Sequence, residues 1–119
     1  MNYTILIHET PDALAMRSDP ARRDSLFAPV FRYIEAIREA GIHVAGAGLE
    51  LPATAKTLRF SDGGGPVVQD GPYADTKEQL AGFFVIDVPD MGTALDWARR
   101  FPPLPGRVLE LRPNLQPRE

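Results

Sequence analysis

Residues 69–90 read QDGPYADTKEQLAGFFVIDVPD, and the apolar run at the end of this stretch decides the fold. Leu80–Val88 has the strongest strand signal in the chain, because aromatic and β-branched residues follow one another almost without interruption. Successive side chains of a strand point to opposite faces. One predicted face carries Leu80, Phe84, Ile86 and Val88, and the other carries Ala81, Phe83 and Val85. The sequence therefore predicts a strand that is apolar on both faces.

The segments around this strand alternate between strand and helix patterns. Further strands are predicted over Tyr3–His8, residues 42–51 and Arg107–Leu111, and a hairpin joins residues 56–61 to 66–70 around Asp62–Gly65. The order strand, helix, strand, hairpin, strand, helix, strand predicts an α+β fold of the ferredoxin-like βαββαβ type with an inserted hairpin. We expect one domain over residues 1–113 and a C-terminal tail over residues 114–119.

Two helices complete this pattern. The first is predicted over Ser25–Ala40, where apolar residues recur at three- and four-residue spacing and Gly41 follows the end. Pro29 then falls in or just after the first turn, where backbone donors are free; a kinked helix that begins at Pro20 is the alternative. The second helix follows Asp90, which has the side chain of an N-cap residue.

Two helices can cover only one face of such a sheet. The other face, with Leu6, Phe83 and Val85, would expose an apolar patch, and such patches usually mark an interface. The sequence thus predicts a homodimer in which two sheets pack face to face. Shielding of this face by long side chains or by the hairpin is the alternative.

Composition excludes several classes of function. The chain has 119 residues, a net charge of -3 and no cysteine, which excludes disulfides, thiolate nucleophiles and zinc–thiolate sites. Scattered basic residues do not form a nucleic-acid footprint. The N-terminus lacks the basic region and cleavage site of a signal peptide, and no apolar run approaches the roughly 18–20 residues that span a bilayer. We expect a cytoplasmic protein without nucleic-acid or membrane partners.

Metal and cofactor motifs are missing as well. Two histidines without cysteine do not suggest a dedicated transition-metal site. The glycines of Ala45–Gly48 are not followed by a helix, and those of Asp62–Gly65 lack the lysine and hydroxyl residue of a phosphate loop. The sequence predicts neither a metal nor a cofactor.

His8 and Asp70 are the candidate catalytic residues. His8 shares the phase of Leu6 on the face assigned to the dimer interior, and histidine is the side chain best suited to a general base near neutral pH. Asp70 lies in a rigid Asp-Gly-Pro turn, and we expect it to orient the imidazole at the mouth of an intersheet pocket. The alternatives are a satisfied interface histidine and an aspartate that only shapes its turn.

Other polar residues extend this predicted site. The expected ligand contacts are Tyr73, Lys77, Glu78 and Arg112, and Asp75 belongs to the same polar wall. Arg112 can hold a carboxylate ligand or, if the last strand is an edge, protect that edge. Glu9 is expected either to orient the His8 ring or to face solvent.

The stretches NYTILIH, GAGLELPATAKTLRF, DGPYADTKEQLAGFFVIDVPD and VLELRP together resemble the YCII-related (DGPF-type, YciI-like) proteins over nearly the whole chain. Tyr73 stands where the DGPF name implies phenylalanine. The resemblance implies a ferredoxin-like fold that dimerises into an α+β barrel. The YciI-type branch has a proposed catalytic His–Asp pair, but the first helix of this chain has no histidine, so that role is not transferred.

The resemblance and the residues together leave two functions open. Some relatives are thought to be small-molecule enzymes, including a dehydrochlorinase of aromatic breakdown, which favours a cofactor-independent lyase, isomerase or dehydrohalogenase. Others are associated with extracytoplasmic-function sigma factors, which favours a non-catalytic ligand-binding or regulatory module. We expect a small-molecule ligand in both cases and prefer the enzyme, because polar groups concentrate near the predicted pocket.

Overall fold

The chain forms a mixed α+β structure, which a computed structural model describes for residues 1–74 and 76–116. The strands are β1 (Asn2–Glu9), β2 (His43–Gly48), β3 (Lys56–Arg59), β4 (Val67–Asp70), β5 (Gln79–Asp87) and β6 (Arg107–Pro113), and the α-helices are α1 (Pro11–Ala15), α2 (Pro20–Glu39) and α3 (Met91–Arg99). Four strands form an antiparallel sheet in the order β2-β5-β1-β6, and β3 pairs with β4 as a separate hairpin. The predicted α+β class is confirmed, and the predicted hairpin is present.

Helix α2 begins earlier than predicted. Asp19 Oδ1 accepts a hydrogen bond from the Ala21 N–H at 3.0 Å, and Pro20 occupies the start of the helix. Both residue types are favoured at these positions. The predicted start at Ser25 is wrong, and the alternative start at Pro20 is confirmed. Pro29 consequently lies inside the helix, where proline removes one backbone hydrogen bond.

One face of the sheet carries the hydrophobic core beneath the helices. At its centre the ring of Tyr33 lies 5.6 Å from that of Phe84 and 5.1 Å from that of Phe101, between ring centroids. The Tyr33 hydroxyl donates to the carbonyl oxygen of Trp97 at 2.8 Å, which ties α2 to α3. Burial raises the pKa of Tyr33 to about 12, although the positive charge of Arg100 opposes this shift.

A bulge in β5 decides which side chains reach the other face. Ile7 of β1 lies opposite Gly82, but the next residue, His8, lies opposite Leu80, so Ala81 is an extra residue in β5. Side chains of directly opposed residues share a face in antiparallel strands. Leu80 therefore shares the face of His8. Its predicted face is wrong, because the extra residue reverses the alternation.

The face without helical cover is called the open face below. It carries Thr4, Leu6, His8, Leu80, Phe83, Val85, Val108, Glu110 and Arg112. Among its apolar members, Leu80 and Val108 are 39% and 52% exposed. The described residues extend over 50 × 47 × 19 Å, and the thin dimension corresponds to one sheet and one layer of helices.

Replacing Tyr33 by Phe tests the contact between α2 and α3. The variant loses the hydrogen bond to Trp97, and we expect it to be less stable at neutral pH by about 1 kcal/mol, the usual net value of such a bond. The wild type should also lose stability as the pH rises from 10 to about 12, because the unfolded tyrosine releases its proton before the folded one does. The Tyr33→Phe variant should lose less stability than the wild type over this pH interval. Denaturant titrations followed by the fluorescence of Trp97 measure both effects, and an identical pH dependence of the two proteins would contradict the expectation.

Candidate functional site

The last two residues of β1 point to opposite sides of the sheet. His8 reaches the open face, which the sequence predicted. Glu9 instead continues the buried series Tyr3, Ile5 and Ile7 beneath the helices. One end of β1 therefore presents a histidine on one side and a carboxylate on the other.

His8 belongs to a row of polar side chains that crosses from β1 to β6. This row consists of His8, Glu110 and Arg112 and is called the open-face cluster. His8 Nε2 lies 3.2 Å from Glu110 Oε1, and Arg112 Nε donates to Glu110 Oε2 at 3.0 Å. The side chains of His8, Glu110 and Arg112 are 28%, 41% and 71% exposed. The cluster thus runs from a half-buried histidine to an exposed arginine at the sheet edge.

Glu110 is the electrostatic centre of this cluster. The hydrogen bond from Arg112, and next to it the hydrogen bond with His8, lower the pKa of Glu110 below its ordinary value. An ionised carboxylate beside a histidine can orient the ring and stabilise the positive charge that forms when the ring accepts a proton. Nδ1 of His8 has no hydrogen-bond partner among the described residues, which leaves this atom available to a ligand.

The turn predicted to orient His8 makes different contacts within the described part of the chain. Asp70 is exposed and pairs with Lys56 Nζ across the hairpin. Gly71 has φ +95°, a conformation that glycine tolerates and that agrees with the predicted role of this glycine in the turn. The carboxylate that contacts His8 is that of Glu110. The orienting role of Asp70 stays a prediction.

The other predicted ligand contacts are spread along the surface. Tyr73 is 74% exposed, and the guanidinium carbon of Arg59 lies 5.2 Å from its ring centroid. Lys77 and Glu78 are exposed, and Asp75 lies outside the described residues. Arg112 is the predicted contact that the structure brings next to His8, through Glu110.

Glu9 does neither of the two things predicted for it. Its side chain is fully buried, with Oε2 2.8 Å from Nε of Arg107 and Oε1 3.4 Å from Nη2 of Arg17. Strand alternation turns it away from His8, and the two guanidinium groups compensate for its removal from water. The arginines also donate to backbone carbonyl groups, Arg17 to Leu49 and Ala81, and Arg107 to Pro102.

Glu9 and both arginines line a cavity of about 720 Å³ between α2 and the sheet. Phe27, Val30, Phe31 and Ile34 form its helical side. Sequence reasoning missed this cavity, although one signal pointed to the buried charge: Glu9 falls in the phase of the buried residues of β1. Its position opposite Arg107 is given by the register of β1 with β6 in the structure.

The described residues contain neither a cluster of metal-binding side chains nor a membrane-spanning helix. No group of three or more His, Cys, Asp or Glu side chains is placed to hold a metal ion in this part of the chain. Within the same residues, no helix has both the length and the apolar character that crossing a membrane requires.

Comparison with known proteins gives matches over most of the chain. A family model described as YCII-related domain matches residues 1–113. A protein of Rhizobium meliloti (strain 1021), described as uncharacterized, is 36% identical over 102 residues, which cover 83% of this chain and 78% of that protein.

Substitutions in the open-face cluster test its electrostatics. Two hydrogen bonds lower the pKa of Glu110. Arg112→Gln removes the one with the larger effect, and His8→Gln removes the one with the smaller effect. We therefore expect the pKa of Glu110 to rise in both variants, and to rise more in Arg112→Gln. Carboxyl-carbon NMR titrations measure the change, with Glu39 on α2 as an internal control. A larger rise in His8→Gln than in Arg112→Gln would contradict the assigned order.

Proposed function

Because the chain belongs to the YCII-related family, we propose that it is a homodimeric small-molecule-binding protein that transfers a proton between ligand and His8 on the open face. The observation that carries this proposal is the contact of His8 Nε2 with Glu110 Oε1 at 3.2 Å on a face without helical cover. A histidine held by a carboxylate is a common acid–base pair. Its position between apolar residues gives the polar contacts a dry surrounding when a partner covers the face.

The proposed assembly pairs two open faces. The strand order β2-β5-β1-β6 and the antiparallel pairing support a ferredoxin-like arrangement, and the helices lie on one side of it. The apolar residues Leu80 and Val108 support a sheet-to-sheet contact, since both are exposed in a single chain. The α+β barrel of two such sheets encloses the open-face clusters of both subunits.

The proposed reaction is abstraction of a proton from a small organic acid or cyclic molecule without a cofactor. His8 accepts the proton, Glu110 stabilises the resulting imidazolium, and Arg112 holds a carboxylate of the ligand. A lyase, isomerase or dehydrohalogenase step begins in this way. We place Asp70, Tyr73, Lys77 and Glu78 at the rim of the pocket, with Asp70 reaching His8 of either subunit.

A non-catalytic regulatory module is the second candidate function, and the hairpin supports it. The hairpin presents Leu58, Phe60, Val67 and Val68, which are 49–80% exposed. Two-stranded hairpins are marginally stable on their own, so a protein partner such as an extracytoplasmic-function sigma factor would stabilise this one. Loss of sigma-factor binding in Phe60→Ser, with unchanged ligand binding, would favour this function over catalysis.

Phe83→Asp tests the proposed dimer. The substitution places a charge in a dry sheet-to-sheet contact, and we expect it to convert a dimer into a monomer. The matched control is Leu95→Asp on α3, which should remain dimeric. This leucine is 38% exposed on the helical side of the sheet. Multi-angle light scattering at micromolar concentration measures the mass, and circular dichroism checks folding. A monomeric wild type would disprove the proposed assembly.

His8→Gln tests the proposed chemistry. A thermal-shift screen of small organic acids and cyclic molecules identifies ligands, and NMR follows their turnover. We expect His8→Gln to slow turnover by roughly 10²–10⁴-fold, the usual contribution of a positioned acid–base group, while binding changes little. Turnover at the wild-type rate would exclude His8 as the proton acceptor, and binding without any turnover would favour the regulatory module.

A further inference from the structure

The cavity of about 720 Å³ between α2 and the sheet has no part in the reaction proposed for the open face. We propose that it is a separate binding site for an aromatic acid that carries a hydroxyl group. Its volume lies within the range of about 300–1,000 Å³ that is usual for small-molecule pockets. This proposal does not depend on the dimer or on His8.

Part of the room in the cavity lies beside Gly48 of the edge strand β2. Gly48 of β2 lies opposite Gly82 of β5, and Gly82 lies opposite Ile7, so all three face the helices. Gly48 is an exposed residue of the cavity lining, and a Cβ there would have no heavy atom within 4 Å. Gly48 has no positive φ, so its backbone does not require glycine. The missing side chain therefore serves to keep space open.

Glu9 determines which donor the ligand carries. Its side chain is fully buried and lines the cavity, and Oε1 has no hydrogen-bond partner in the described residues. Buried carboxylate oxygens are rarely left without a donor. Arg17 and Arg107 already lie beside this carboxylate, so a further cation would be repelled by them. A neutral hydroxyl group is the donor that fits.

The charges of the lining select an anion. The lining contains four arginines and three glutamates: Arg17, Arg23, Arg38 and Arg107, and Glu9, Glu35 and Glu50. The surplus positive charge lies in the buried triad, where Arg17 and Arg107 share the single carboxylate of Glu9. The exposed Arg23 lines the same cavity, with its guanidinium carbon 5.9 Å from the Phe27 ring centroid. A carboxylate of the ligand can pair with Arg23 there.

The helical wall selects an aromatic body between the two polar groups. Phe27 and Phe31 lie 6.3 Å apart between ring centroids with an interplanar angle of 38°, and Phe31 is 65% exposed. A third ring can pack against them with the offset or tilted geometry that aromatic side chains prefer. Such a ring also separates the hydroxyl group at Glu9 from the carboxylate at Arg23.

Three matched probes test the site with the full chain. Isothermal titration calorimetry compares para-hydroxybenzoate with para-methoxybenzoate, which lacks the donor, and with para-hydroxybenzyl alcohol, which lacks the charge. We expect para-hydroxybenzoate to bind about tenfold or more tightly than either, because each analogue leaves one polar group of the site unpaired. Glu9→Gln should reduce the preference for the hydroxyl group.

Gly48→Met keeps the test decisive if Glu9→Gln does not fold. The methionine side chain extends into the cavity without altering a charge, so we expect binding of para-hydroxybenzoate to be lost while the melting temperature does not fall. Gly65→Met in the hairpin is the matched control and should bind as the wild type does. His8→Gln should also retain binding, which separates this site from the open face. Equal affinity for the three probes, no binding of any of them, or unchanged binding to Gly48→Met would each overturn the proposal.

Discussion

The alternation of side chains along β1 is the constraint on which both candidate sites depend. This strand is hydrogen-bonded on both sides, to β5 and to β6, so a shift of its register would break two ladders and invert its faces. With Ile5 and Ile7 fixed under the helices, His8 must reach the open face and Glu9 must enter the core. The bulge in β5 then brings Leu80 to the side of His8 and increases the apolar area around it.

The buried position of Glu9 is not explained by stability. Removal of a carboxylate and two guanidinium groups from water costs free energy, and apolar replacements of buried ion pairs are often neutral or stabilising. Arg17 and Arg107 offset this cost by pairing with Glu9 and with three backbone carbonyl groups. Oε1 nevertheless lacks a hydrogen-bond partner in the described residues. A charge that is expensive to bury and incompletely satisfied is better explained by a ligand than by folding.

The parts of the fold that the sequence predicted depend on local signals. Asp90 accepts a hydrogen bond from the Thr93 N–H at 2.8 Å and caps α3 as expected, and the apolar run of β5 forms the predicted strand. The wrong predictions depend on competing or long-range effects. Asp24 and Ser25 have cap-forming side chains as well as Asp19, the observed cap of α2, and sequence spacing does not choose among the three. The face of Leu80 depends on an extra residue that is visible only once β5 is aligned with β1. The environment of Glu9 requires the distant Arg107, and the cavity requires the distance between α2 and β2, which no local pattern contains.

The side chains of β6 differ in their exposure to solvent, and this difference distinguishes the two candidate sites. It shows which of them requires a second subunit. The side chains of Arg107, Glu110 and Arg112 are 8%, 41% and 71% exposed. The exposed Arg112 is available for edge protection or for ligand binding, whereas Arg107 is available for neither, because Glu9 engages it inside the subunit. Electrostatic interactions strengthen as water is removed. The open-face cluster is still partly hydrated in one chain, so the chemistry proposed for it requires a partner that covers this face. Glu9 and its arginines are already largely buried, so the site proposed beneath α2 does not require a second subunit.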